Sequence, residues 1–300
     1  MSLQKTAGTI VSGQEKWWVK QGLESPVVSV EDFEKGMGRV PDVVGEFGYF
    51  PSSILVLSRP KALFDYLADV GRPQRHIANA YHTPIGASIF PPAASWFCIK
   101  YWSCKGDVVL DPFGNRANIG LVANWLGRRV ILNDIAPSYC RMMEDAGERR
   151  VNQDLPWTVF NRDAANLSEI PDSSVDLILT GPPYHNVEPY EKVPGQASSF
   201  RTYAQFLAWY GRVAAELHRL IKPQGYCIYK VGDWRVKGRI VPFTYDTQRV
   251  FAEAGFILHD VLICVEPAPL GGGWSWASKW RSRYVSKAHQ TVFVWRKEDI

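Results

Sequence analysis

The chain reads as an α/β protein. The expected architecture is a mostly parallel seven-stranded sheet with an antiparallel end strand and helices on both faces. Two observations predict it. From residue 91 onward, short apolar runs alternate with helical stretches, which implies parallel strands joined by crossover helices. The last two runs, 256–265 and 290–296, have no helical pattern between them, which implies an antiparallel pair.

Residues 1–75 read as an N-terminal arm or extension, and residues 76–300 as the main domain. In the arm, Gly, Ser and charge interrupt short apolar runs, and Trp17-Trp18 are expected to pack it onto the main domain, with a wedge facing a nucleic acid as the alternative. Residues 60–68 read as a helix. Pro91-Pro92 opens the next, through Tyr101, because proline loses no hydrogen bond in a first helical turn. Lys105-Gly106-Asp107 turns the chain into strand Val108–Asp111. Helix 118–126 is closed by Gly127, with Arg128 and Arg129 past its end. Strand 130–134, helix 137–150 and strands 157–161 and 175–179 follow. Residues 186–202 are polar and carry Gly and Pro, a candidate mobile loop. Tyr203, Phe206, Leu207, Tyr210, Val213, Ala214, Leu217 and Leu220 then fall on one helical stripe, which Lys222-Pro223-Gln224-Gly225 stops. Strand 226–231 and helix 245–254, closed by Gly255, precede the final pair.

Composition narrows the class. Hydrophobic content of 46% and charged content of 21% over 300 residues describe an ordinary soluble globular chain. A net charge of +4 suits a polyanionic partner without demanding one. Twelve tryptophans are many for this length and read either as a Trp-rich core or, for some of them, as surfaces that stack on a ligand. The five cysteines are scattered without metal spacing and read as reduced thiols. No apolar leader and no run of eighteen apolar residues occur, so the expectation is a cytoplasmic protein with no membrane partner and no metal. Oligomeric state stays open, a homodimer included.

In a sheet of this kind, ligands bind beyond the carboxyl ends of the strands. Asp111 and Asp134 end two of them. Asp134 is placed to accept hydrogen bonds from ribose hydroxyls, and Asp163-Ala164 follows the third strand, where an acid can accept from an adenine amino group. Residues 175–184 form an apolar strand running into a rigid Pro-Pro-Tyr corner. Asp111-Pro112-Phe113, Asn133-Asp134-Ile135-Ala136-Pro137 and Pro182-Pro183-Tyr184, in this order, resemble the motifs of the DNA amino-methyltransferases, which methylate cytosine N4 or adenine N6. The resemblance covers residues 82–297. It implies the Rossmann-like methyltransferase fold and S-adenosyl-L-methionine (SAM) as cofactor. The implied cofactor residues are Asp111, Phe113, Gly114, Asn115, Asp134, Ile135, Asp163 and Ala164, with His82 in a segment covering the methionine end. The implied catalytic corner is Gly181, Pro182, Pro183 and Tyr184.

Two positions depart from the family pattern. The family carries two glycines spaced by one residue in the cofactor turn, where this chain has Asn115 and Ala117. Asn tolerates positive φ, but Ala117 adds a methyl where backbone is expected to approach the ligand, so altered SAM affinity is expected. An exocyclic amine is a poor nucleophile and needs acceptors for both hydrogens. The Pro182 carbonyl is one. In the family, an Asp, Asn or Ser before Pro-Pro is the other, and here Gly181 has no side chain. Losing that acceptor costs about 2–3 kcal/mol, or about 30- to 150-fold in rate. Thr180, Asn186 or a water are the candidates to replace it. Tyr184 is expected to stack on a flipped base.

Loop 266–288 interleaves cations with aromatics, and Lys279, Trp280, Arg281 and Arg283 are its candidate nucleic-acid contacts, with Arg235 and Lys237 nearby. The implied activity is SAM-dependent methylation of a DNA base amine. An RNA base is the alternative acceptor. The competing class is a degenerate methylase-like protein that binds nucleic acid or SAM without turnover, motivated by Gly181, Asn115 and Ala117.

Overall fold

The computed structural model describes residues 54–55, 66–67, 90–187, 191, 193–265 and 289–297. Trp17-Trp18, His82, most of the expected helix 60–68 and loop 266–288, with Lys279, Trp280, Arg281 and Arg283, lie outside the described residues.

The elements run β1 (Ile54–Leu55), α1 (Pro92–Trp102), β2 (Val108–Asp111), α2 (Asn118–Trp125), β3 (Arg129–Asn133), α3 (Pro137–Glu148), β4 (Trp157–Phe160) and β5 (Val175–Thr180). Then come α4 (Tyr203–Leu220), β6 (Ile221–Val231), β7 (Trp234–Val236), β8 (Arg239–Val241), α5 (Phe243–Glu253), β9 (Ile257–Val265) and β10 (His289–Arg296). Eight strands form one sheet in the order β1-β9-β10-β6-β5-β2-β3-β4. Every pairing is parallel except the two made by β10.

The seven expected strands are all present, and the last in the chain is the antiparallel one. It does not stand at the sheet's edge: β10 inserts between β9 and β6. The eighth strand comes from the segment read as the arm, where Ile54 and Leu55 pair with Ile263 and Cys264. β6 starts earlier than expected, at Ile221, and the turn residue Gln224 sits inside it at positive φ.

The long helix follows its stripe. Phe206, Tyr210, Val213, Ala214, Leu217 and Leu220 are buried against the sheet, and Tyr203 and Leu207 pack at the margin. Thr202 and Gln205 close its amino end as a reciprocal capping box, satisfying donors that would otherwise have no partner. Arg128 is not the solvated charge its position past α2 suggests. It is 4% exposed and donates to the carbonyls of Leu126 and Ser103, both at 2.6 Å, tying together the carboxyl ends of α2 and α1. A cation between two helix carboxyl termini faces the negative ends of both dipoles.

The strand order places the site. From β2 the chain proceeds outward to β3 and β4, then returns to β5 on the other side of β2. A crevice opens where that order reverses, above the carboxyl ends of β2 and β5.

Candidate active site

One pocket lies at this reversal. It is lined by every described residue of the expected cofactor set, from Asp111 to Ala164, and by all four residues of the expected catalytic corner.

The turn after β2 resolves the first departure. Asn115 has φ of 45° and Ala117 φ of 60°, so both take the left-handed conformation that glycine takes at little cost. On the alanine this costs about 1–2 kcal/mol. The expectation about the Ala117 methyl is corrected: the residue is fully buried and does not line the pocket, so its methyl packs into the protein rather than toward a ligand. Gly114 serves close packing instead. A Cβ there would stand 2.4 Å from Met143 Sδ, and its N–H donates to the Asn133 carbonyl at 2.7 Å.

Asn133 explains its place in the motif. Fully buried, it donates from Nδ2 to the carbonyls of Pro112 and Arg162, both at 3.1 Å, and accepts from Arg162 N–H at 3.0 Å. It thereby joins the loops after β2 and β4. Asp134 accepts from the N–H groups of Asn115 at 3.1 Å and Ala136 at 2.9 Å. Asp163 Oδ1 accepts from Trp209 Nε1 at 2.8 Å and Ala165 N–H at 3.0 Å. Trp209 packs against Phe113 and Phe200, giving the acid an aromatic surround.

Burial pushes the Asp111 carboxyl up to about 7; hydrogen bonds from Thr180 and Phe113 pull the other way, and the Asp134 charge adds to the rise. Burial likewise raises Asp134 to about 6, opposed by the Ala136 and Asn115 N–H groups and reinforced by Glu191. An unfolded Asp titrates near 4, so between pH 4 and 7 the ligand-free native state holds a proton at Asp111 that the unfolded chain has lost. Stability from this group is therefore full below pH 4 and declines as pH rises to 7. Asp111→Asn keeps an oxygen for Thr180 and Phe113. Thermal unfolding should show a shallower decline over that range, with the variant more stable than wild type at pH 8 by on the order of 3 kcal/mol. Parallel pH profiles would show that Asp111 titrates normally.

At the corner, neither side chain expected to replace the missing acceptor is in place. Thr180 is fully buried and its hydroxyl donates to Asp111 at 2.6 Å. Asn186 is exposed, pairs with the His185 ring at 3.2 Å and does not line the pocket. Gly181 itself is demanded by neither backbone nor space. Its φ is not positive, and a Cβ would meet Phe90 at 3.4 Å and the Lys230 carbonyl at 3.8 Å, ordinary contacts. The Tyr184 hydroxyl accepts from Gly232 N–H and Gln290 Nε2, both at 3.0 Å, while its ring packs edge-on against Trp234 and Phe243.

Among the pocket-wall residues that escaped the sequence reading, Lys230 and Gln290 are paired with each other. Lys230 is 8% exposed; its ammonium donates to Gln290 Oε1 and lies over the Phe90 ring at 5.4 Å. A charge near the end of an apolar strand is the same signal that marks Asp111, so Lys230 was findable. Gln290 was not, because β10 runs backwards and presents its first residues, not its last, at the site edge.

Residues 191 and 193–202, part of the expected mobile loop, are anchored. Glu191 accepts from Ser138 Oγ, and Val193 packs on Ala136, Tyr139 and Met142. Gly195 approaches Ile135 so closely that a Cβ would lie 2.9 Å from it. Arg235 and Lys237 are exposed on the β7–β8 hairpin and do not line the pocket. No helix among the described residues is long and apolar enough to cross a membrane.

The DNA methylase family matches residues 66–145 and 175–300. The type II methyltransferase M.BglII of Bacillus subtilis is 28% identical over 141 residues, covering 46% of this chain and 35% of that protein. The orphan methyltransferase M.BamHII of Bacillus amyloliquefaciens is 33% identical over 94 residues, covering 31% of each. Each match thus spans about a third of the relative's own length. Among solved structures, a SAM-dependent methyltransferase from Methanosarcina mazei is 15% identical with a TM-score of 0.45, covering 71% of this chain and 99% of that one. The family match takes in the turn after β2, Asp134 and the whole stretch from β5 through the Pro-Pro-Tyr corner to β10, and the chain belongs to the DNA methylase family.

Proposed function

We propose that the protein transfers a methyl group from SAM to the exocyclic amine of a DNA base, cytosine N4 or adenine N6. The observation that carries the reading is that the three acids at strand ends and the Pro-Pro-Tyr corner line one pocket. The donor set fits SAM. Asp134 offers acceptors to ribose hydroxyls and Asp163 beside Trp209 suits an adenine amine, while a cationic ligand would draw the Asp111 and Asp134 carboxyls toward their charged forms.

Asp134 and Asp163 would hold SAM, which would supply an electrophilic methyl to the base nitrogen, with S-adenosylhomocysteine as the leaving group and the amine proton passing to water. The chain's own residues position that step. The Pro182 carbonyl accepts one amine hydrogen and draws electron density toward the nitrogen. Tyr184, clamped through its hydroxyl, offers its ring face to a base taken out of the duplex. Arg235 and Lys237, with Lys279, Trp280, Arg281 and Arg283, serve the phosphates and unstacked bases. Residues 1–75 act as an extension that also lends β1 (Ile54–Leu55) to the edge of the catalytic domain's sheet.

Nucleoside mass spectrometry of DNA and RNA incubated with the protein and methyl-labelled SAM tests the reading. Labelled N4-methylcytosine or N6-methyladenine in DNA is expected. Label in RNA alone would move the acceptor to RNA. No label, from folded protein that binds SAM, would favour the second reading, a binder without turnover, which the unreplaced acceptor at Gly181 motivates.

A further inference from the structure

The β7–β8 hairpin belongs to no part of the main sheet. It follows the carboxyl end of β6, whose Lys230 lines the pocket, and its root is fixed against the pocket's Tyr184. Trp234 packs edge-on to Tyr184 at 5.2 Å and to Phe243 at 5.4 Å. Asp233 accepts from Thr244 N–H at 3.0 Å and Thr244 Oγ1 at 2.7 Å, closing the two ends of the hairpin on each other. Its turn, Lys237-Gly238, has positive φ at both residues, 48° and 80°. That two-residue geometry matches the natural twist of paired strands and makes a stiff projection.

Beyond the root, residues 235–240 are all exposed. Val236 is 51% and Ile240 45% exposed, branched apolar side chains held in water by a rigid frame. Arg235, Lys237 and Arg239 stand among them, and no acid occurs from 234 to 243. Cations beside exposed apolar wedges suit a polyanion whose interior is apolar, which describes a stacked duplex. A protein or membrane surface would give no reason for the projection to be rooted on the tyrosine that receives the base.

We infer that the hairpin is a duplex wedge. Arg235, Lys237 and Arg239 engage phosphates, and Val236 or Ile240 enters the stack beside the target base, filling the space it leaves. The inference rests on the methyl-transfer reading above.

The test begins by mapping methylated positions in plasmid DNA treated with wild-type protein. Two duplexes of the mapped sequence are then compared, one fully paired and one with an abasic site opposite the target base, so that extrusion is already easy. Val236→Ser/Ile240→Ser is expected to lose about 30-fold in transfer rate on the paired duplex, in line with the cost of unstacking one step. On the abasic duplex it should match wild type within about threefold. Arg235→Ala/Lys237→Ala/Arg239→Ala should instead weaken both duplexes alike and lower the log–log salt slope by about 2–3. Equal loss by the serine variant on both duplexes, or loss on neither, overturns the wedge while leaving methyl transfer intact. Wild-type protein that methylates no DNA overturns both.

Discussion

Tyr184→Ala should reduce methyl transfer by more than about 100-fold, since stacking of one base on one ring is worth about 1–3 kcal/mol and the corner loses its clamp as well. The ring is also structural: it packs on Trp234 and Phe243, and removing a packed aromatic costs about 3–5 kcal/mol of stability. Tyr184→Phe separates the two roles. It keeps the ring face but leaves Gly232 N–H and the Gln290 amide without their acceptor, at a cost of about 1–3 kcal/mol. The Phe variant should therefore melt lower yet retain transfer within about tenfold of wild type. Single-turnover label transfer and thermal unfolding on both variants give the answer. Equal turnover in wild type and Tyr184→Ala would place the chemistry elsewhere.

Gly181→Asp should accelerate transfer by about 30- to 150-fold, the size of one charge-assisted acceptor supplied to the second amine hydrogen. The protein is built to accept it. The backbone is not in the left-handed region, and the new Cβ meets Phe90 and the Lys230 carbonyl at ordinary distances. Stability should change by less than about 1 kcal/mol, because the gain from a stiffer unfolded chain is small. The informative quantity is kcat at saturating SAM, since an acceptor that acts on the amine raises kcat without tightening SAM binding. An unchanged rate would mean that another group already accepts the second hydrogen.

Much of this chain is legible before folding. Strands β2 through β5, the stripe of α4 and the acids at Asp111 and Asp134 all announce themselves within ten residues or so, because an apolar run ended by an acid or a proline corner is a local pattern. The whole described cofactor set lines one pocket for the same reason: strands that run parallel put like ends at one edge. What the tertiary structure alone decided lies at contacts between residues far apart in sequence. β10 inserts between β9 and β6, which carries Gln290 to Lys230 and to the Tyr184 hydroxyl. Thr180 is buried beside Asp111 and does not line the pocket, so it does not replace the acceptor that Gly181 lacks. The Ala117 methyl packs inward, so the altered turn leaves the pocket open. None of these follows from spacing, because which neighbour a side chain meets depends on which faces are buried together, and burial is a property of the assembled sheet and helices rather than of any one segment.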